Sequence, residues 1–124
     1  MDMGPSINTE YFSATSELEP TKLLAKMDGN ADQDITKILD EFLGKIHDEA
    51  SAHAVAEVVV DLRSVEFMSS ACLKAFVTWI HVARMLPASN RYQIVFLSEP
   101  EILWQRRSMH ALSCVARDMV RLQA

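Results

Sequence analysis

Apolar residues recur with the period of an α-helix between residues 35 and 46. They lie at i, i+3, i+4, i+7, i+8 and i+11, on one face of a helix: Ile35, Ile38, Leu39, Phe42, Leu43 and Ile46. Asp32 or Asp34 can cap the start of this helix, where a carboxylate also interacts favourably with the helix dipole. The pattern predicts a first helix that buries one apolar stripe.

Two more helices are predicted later in the chain. The second runs from about Ser70 to Leu86, with a stripe formed by Leu73, Phe76, Val77, Ile80 and Ala83. Trp79 lies opposite that stripe, where it is either an exposed interface anchor or part of a second core layer. The segment from Ser98 to Glu101 has a capping-box pattern and predicts a third helix over 100–113.

Strands are predicted where apolar residues run without helical spacing. Residues 57–62 and 92–97 are almost wholly apolar and rich in β-branched or aromatic side chains, which is typical of strands buried on both faces. Residues 63–68 are interpreted as a loop. Three further strands are predicted at 10–18, as an edge strand, at 22–27 and at 118–122.

Strands therefore alternate with helices through most of the chain. This order indicates right-handed crossovers between parallel strands. We predict an α/β fold, with a mixed, largely parallel sheet of four to five strands and helices packed on it. The 124 residues suffice for one core, so we expect a flexible N-terminal tail over 1–9 and a single domain over 10–124.

The charge distribution narrows the class of partner. A net charge of −5 argues against a general nucleic-acid binder or a protein that binds anionic membranes. Residues 1–66 carry 14 acidic and 5 basic side chains, whereas residues 67–124 carry 3 acidic and 7 basic ones. This asymmetry favours a polarised surface that binds a charged protein.

The cysteines and histidines indicate neither a metal site nor a cofactor. Cys72 and Cys114 form no CxxC pair, and the four histidines lack the spacing of metal ligands. We see no signal-peptide pattern and no apolar run near the roughly 20 residues of a membrane span. We therefore expect a cytoplasmic protein with free thiols and no membrane insertion, as a monomer or a weak dimer.

The candidate functional residues lie at the turn after the strand 57–62. In parallel sheets, functional residues lie where a strand ends and the next helix begins. Ser69 and Ser70 occupy that place, where free backbone N–H groups and the helix dipole would stabilise a phosphate. The simpler alternative is that these serines only cap the helix.

The string VVVDLRSVEFMSSACLKAF (58–76) resembles the signature of the STAS domain family, the anti-sigma factor antagonists. In that family an apolar strand ends in Asp-Leu, and an aromatic residue precedes Ser-Ser-Ala-Gly-Leu or Asp-Ser-Ser-Gly-Leu at a helix start. The segment from Gly29 to Asp32 is similar to the family's Gly-x-x-Asp turn. The resemblance covers about 20–122 and implies a STAS-like fold.

The resemblance implies a small switch protein rather than an enzyme. In the family, a serine kinase of the histidine-kinase-like ATPase type, often itself an anti-sigma factor, phosphorylates one serine, and a metal-dependent serine phosphatase reverses the reaction. The unphosphorylated form binds the kinase or another target. By position, Ser70 matches the phosphorylated serine, and Ser69 is the second candidate.

The resemblance also implies a partner-binding surface around that serine. Its members are Asp32, Asp61, Glu66, Met68, Ser69, Cys72 and Lys74. The three acidic residues are expected near Ser70, where an added phosphate would strengthen repulsion of an acidic partner. Cys72 departs from the glycine that is usual in the family, and its side chain can crowd a docking kinase.

Two other classes of function stay open. The chain can be a constitutive scaffold or a small-ligand sensor whose serines only cap the helix. Alternatively, Cys72 can be a nucleophile activated by the helix start, although a small packing residue is the simpler interpretation. A hydrolase built on a G-x-S-x-G turn is set aside, because no glycine flanks Ser70.

Overall fold

The computed structural model describes residues 2–123, which form ten helices and strands together with two short 3-10 helices at Gln33–Ile35 and Ala88–Asn90. The strands are β1 (Asp2–Met3), β2 (Ile7–Asn8), β3 (Phe12–Leu18), β4 (Lys22–Ala31), β5 (Glu57–Met68), β6 (Gln93–Leu97) and β7 (Val120–Gln123). The helices are α1 (Thr36–Ala52), α2 (Ser70–Arg84) and α3 (Leu103–Val115).

All seven strands belong to one mixed sheet. Its order is β1-β3-β4-β5-β6-β7, with β2 also paired to β3. The pairs from β4 to β7 are parallel, and those that involve β1, β2 and β3 are antiparallel. The five predicted strands are all present, and the two additional ones lie within 1–9.

The N-terminal segment is not the loose tail that we predicted. The side chain of Ile7 is 4% exposed and belongs to the core. Ser16 on β3 donates a hydrogen bond from Oγ to the carbonyl of Pro5 (2.6 Å) and accepts one at its own carbonyl from the backbone N–H of Gly4 (3.1 Å). One buried isoleucine among polar residues is too weak a pattern to predict this pairing. Residue 1 lies outside the described residues.

The three helices cover one face of the sheet. Each crossover from β4 to β7 steps in the same direction across the sheet, so right-handed connections place α1, α2 and α3 on the same side. Along β5, Val58, Val60 and Leu62 are fully buried, while Val59 and Asp61 are only partly buried. Residues 57–62 are therefore covered on one face rather than on both.

An aromatic cluster fills the core between α2 and β6. Trp79 is 3% exposed, which makes it a core residue and not a surface anchor. Its Nε1 donates a hydrogen bond to the hydroxyl of Tyr92 (3.0 Å), which also lies 2.7 Å from His47 Nδ1. Burial raises the pKa of Tyr92. The cluster holds α2 firmly against the sheet.

The start of α3 differs from the prediction. The helix begins at Leu103, and Ser98 does not cap it. Instead, Gln105 Oε1 accepts the backbone N–H of Glu99 (2.8 Å), and Glu99 Oε1 accepts that of Glu101 (3.2 Å). These bonds hold residues 98–102 as a turn, so the capping-box interpretation is wrong.

Candidate functional site

Strand β5 continues to Met68, where we predicted a loop, and this extension positions the candidate site. It pairs with β6 only over Glu57–Asp61, whereas its pairing with β4 runs on to Met68. On the side without a strand, Gln105 Nε2 donates to the carbonyls of Leu62 (2.7 Å) and Val65 (2.9 Å). Trp104 Nε1 also donates to Val65 (3.0 Å). Side chains of α3 thus replace a neighbouring strand.

The end of β4 depends on Gly29, which pairs with Phe12 at the start of β3. The φ of Gly29 is +107°, and a Cβ atom there would lie 2.1 Å from the carbonyl oxygen of Tyr11. Only glycine fits this close approach. The register with β5 shifts on both sides of this position, and the two strands then end together at Ala31 and Met68.

Ser69 is the N-cap of α2. Its Oγ accepts the backbone N–H of Cys72 (3.2 Å), and its own N–H donates to the carbonyl of Ala31 (2.8 Å). The first bond satisfies a free N–H of the helix start, and the second ties the turn to the end of β4. The capping role therefore belongs to Ser69.

Ser70 is the first residue of α2, and its side chain is exposed. Because Ser69 supplies the cap, the hydroxyl of Ser70 is left out of the cap and faces solvent. The two adjacent serines thus have different environments, which the sequence alone did not distinguish.

Asp32 lies beside this turn, as the sequence predicted. It follows the last residue of β4, and its Oδ1 accepts the backbone N–H of Asp34 (2.9 Å) to cap the 3-10 helix. Its backbone carbonyl accepts a hydrogen bond from Cys72 Sγ (3.3 Å), so Asp32 is joined to the first turn of α2. Its carboxylate is exposed and adds negative charge next to the serines.

Cys72 and Met68 do not belong to the surface on which we placed them. Cys72 is fully buried, and Thr36 Oγ1 lies 3.6 Å from its sulfur, in addition to the carbonyl of Asp32. Met68 is only 4% exposed. Position 72 falls on the inner face of α2, so Cys72 packs α2 against α1 and cannot touch a docking protein or a substrate.

Asp61 is also absent from the site. Seven residues of extended strand separate it from Ser69, which corresponds to a distance on the order of 25 Å. It lies on the helix-free face, where its carboxylate accepts hydrogen bonds from Arg63 Nε (3.0 Å) and Nη2 (2.9 Å). The Arg63 side chain holds the pKa of Asp61 below its ordinary value. Glu66 and Lys74, by contrast, are exposed on the segments that flank the serine turn.

A groove between α2 and α3 opens beside Ser70, and sequence reasoning missed it. Its volume is about 410 Å³, and it is lined by Ser70, Leu73, Lys74, Val77, Arg107 and Val115, among others. Leu73 and Val77 are only partly buried, and their i, i+4 spacing on α2 was the available signal.

Two solved structures share this fold. An anti-sigma factor antagonist from Mycobacterium paratuberculosis superposes with a TM-score of 0.61, at 16% identity over 83% of this chain and 80% of that chain. The protein TM1081 gives a TM-score of 0.60, at 13% identity over 87% and 78% of the two chains. These similarities confirm the predicted STAS-like α/β fold. No protein-family model matches the chain, and no curated protein matches it significantly in sequence.

Residues 2–123 contain neither a membrane-spanning helix nor a cluster of metal ligands. No helix there is both long and apolar enough to cross a membrane. The same residues contain no group of three or more His, Cys, Asp or Glu side chains arranged to hold a metal ion.

Proposed function

We propose that this chain, whose fold is that of a STAS domain, is a non-enzymatic regulator of the anti-sigma factor antagonist type. It binds its target when Ser70 is unmodified and releases it when Ser70 carries a phosphate. The partners proposed for it are a serine kinase of the histidine-kinase-like ATPase type, which is also the anti-sigma factor, and a metal-dependent serine phosphatase.

The observation that carries the proposal is the difference between Ser69 and Ser70. Ser69 is partly buried and its hydroxyl caps α2, whereas Ser70 is exposed next to it. A kinase needs a hydroxyl that it can reach and that the fold does not require. Ser70 meets both conditions, and modification of Ser69 would remove the helix cap.

A phosphate at this position is compatible with the fold. It adds a charge of about −2 at the start of a helix, where the dipole and free N–H groups favour an anion. The helix therefore stays folded, and the change is confined to the surface charge. Asp32 and Glu66 are exposed on the segments beside the serine turn, so the phosphate adds to negative charge already present there and strengthens repulsion of an acidic partner surface.

The proposal is tested by phosphate transfer in an extract of the protein's own cells. Purified wild-type chain, Ser69→Ala and Ser70→Ala are each incubated with the extract and γ-labelled ATP. We expect label in the wild type and in Ser69→Ala, and none in Ser70→Ala. Equal labelling of all three chains would overturn the assignment of Ser70. No labelling in extracts from several growth conditions would instead favour the constitutive scaffold or ligand sensor.

A further inference from the structure

The groove between α2 and α3 combines Ser70 with two cationic side chains. Lys74 lies four residues after Ser70 on α2, which places the two on the same helix face. Arg107 lines the same groove from α3, on the other side. Ser70 thus has one basic residue one turn along its own helix and another across the groove.

Both cations lack a partner within the part of the chain that the structure describes. The ion pairs among residues 2–123 involve Arg63, Arg84, Arg121 and His53, and neither Lys74 nor Arg107. Both side chains are exposed and therefore free to change rotamer. These two unpaired cations at a partly apolar groove can bind an anionic group that is added to Ser70.

We infer that Lys74 and Arg107 bind the phosphate of modified Ser70 within the same chain. This inference rests on the proposed function, because Ser70 is taken as the modified residue. The phosphate offers three acceptor oxygens, and an arginine can bind two of them with parallel N–H bonds. The pair bridges α2 and α3, so the modification closes the groove and withdraws both cations from any acidic partner.

Binding of the phosphate by Lys74 and Arg107, which we call the clamp, changes the charge of the groove. Before modification, the groove presents two positive charges at its rim and the apolar side chains of Leu73 and Val77 between α2 and α3. After modification, a phosphate of about −2 neutralises both charges. One phosphate thus changes the groove from cationic and open to neutral and bridged, without unfolding of α2.

The inference is tested with phosphoserine inserted at position 70 during translation, so that no kinase is needed. Phosphorus NMR then follows the second ionisation of the phosphate, whose ordinary pKa is about 6. Bound cations favour the dianion, so we expect a lower pKa in the wild type than in Lys74→Met/Arg107→Gln, by roughly 0.5 to 1 unit. The helix dipole and the Asp32 carboxylate affect the phosphate pKa equally in both chains, so their effects cancel in the difference.

Arg106→Gln is the matched control, because Arg106 is exposed on α3 next to Arg107 but does not line the groove. Its phosphate should titrate as in the wild type. An equal phosphate pKa in wild type and Lys74→Met/Arg107→Gln would overturn the proposal, as would an equal shift caused by Arg106→Gln. Failure of the proposed function is distinguishable, because absence of natural phosphorylation at Ser70 leaves the titration of the inserted phosphoserine unchanged.

Discussion

The middle of β5 and its carboxyl end differ in how their polar groups are satisfied. In the middle, Asp61 is paired with Arg63 on the helix-free face, so the two charges neutralise each other. At the carboxyl end, the hydrogen bonds of Ser69 tie the turn to β4 and α2 and leave Ser70 to solvent. The first arrangement is closed within the chain, whereas the second presents a reactive group. A candidate site is therefore defined by what the fold leaves unsatisfied and not by proximity within a motif.

The largest effect is expected where the serine turn rests on the core. Met68→Ala removes a buried side chain directly before the turn and should lower the free energy of unfolding by about 2–5 kcal/mol. Phe67→Ala is the control, because the neighbouring Phe67 is 47% exposed and should matter less. Urea denaturation of both variants checks this. Equal losses would show that the turn is not anchored through Met68.

A smaller effect should separate the two serines. Ser69→Ala removes the N-cap of α2 and should cost about 1 kcal/mol in the free energy of unfolding. Ser70→Ala changes an exposed first-turn residue and should stay within about 0.5 kcal/mol of the wild type. Thermal unfolding of the two variants side by side measures this difference. The distinction fails if Ser70→Ala is as destabilising as Ser69→Ala.

The smallest effect concerns Asp61 in the middle of β5. The pKa of Asp61 lies below the ordinary value of an aspartate, chiefly because the Arg63 side chain donates a hydrogen bond to its carboxylate. Asp61 therefore stabilises the fold above the pKa of the unfolded carboxyl, and this contribution is lost as the pH falls through the lower folded pKa. Because the pair is partly exposed to solvent, Asp61→Asn should lower stability at pH 7 by at most about 1 kcal/mol.

The measurement for Asp61 is urea denaturation of wild type and Asp61→Asn at pH 7 and at a series of lower pH values. The difference in stability between the two chains should shrink as the pH falls, because protonation of Asp61 removes its charge from the pair with Arg63. A difference that persists unchanged at low pH would contradict the ion pair. Asp61→Asn should not alter phosphate transfer to Ser70, because Asp61 lies on the order of 25 Å from the serine turn.

The sequence predicted the elements whose signals are local. The stripe from Ile35 to Ile46 and the apolar runs of β5 and β6 determine their own structure, because burial of one periodic face dominates their energetics. Ser69 and Ser70 were located correctly at a helix start for the same reason. The STAS-like resemblance and the order of elements agreed with these signals.

The features that were missed depend on residues distant in the chain. Residues 63–68 look like a loop because Arg63 and Glu66 are polar, yet Gln105 and Trp104 supply the hydrogen bonds that a neighbouring strand would give. Ile7 is buried only because β3 offers a surface for the N-terminal segment. Pairings of this kind leave no periodic pattern in either partner segment.

The prediction that Asp61 lies near Ser70 was wrong for a geometric reason. Nearness in sequence to Ser70 suggested nearness in space, but an extended strand advances about 3.3 Å per residue. Asp32 is much farther from Ser70 in sequence than Asp61 is, and it still lies beside the turn, because β4 and β5 are parallel and end together. Sheet topology, rather than sequence distance, decides which carboxylates surround the serine.

The most direct test of the central claim is phosphate mapping on the protein isolated from its own cells with phosphatases inhibited. Trypsin cleaves after Arg63 and Lys74 and releases the peptide 64–74, in which fragmentation distinguishes Ser70 from Ser69. We predict phosphate on Ser70, at an occupancy that changes with growth and stress conditions. Complete coverage of this peptide with no phosphate on Ser70 under any condition would contradict the switch.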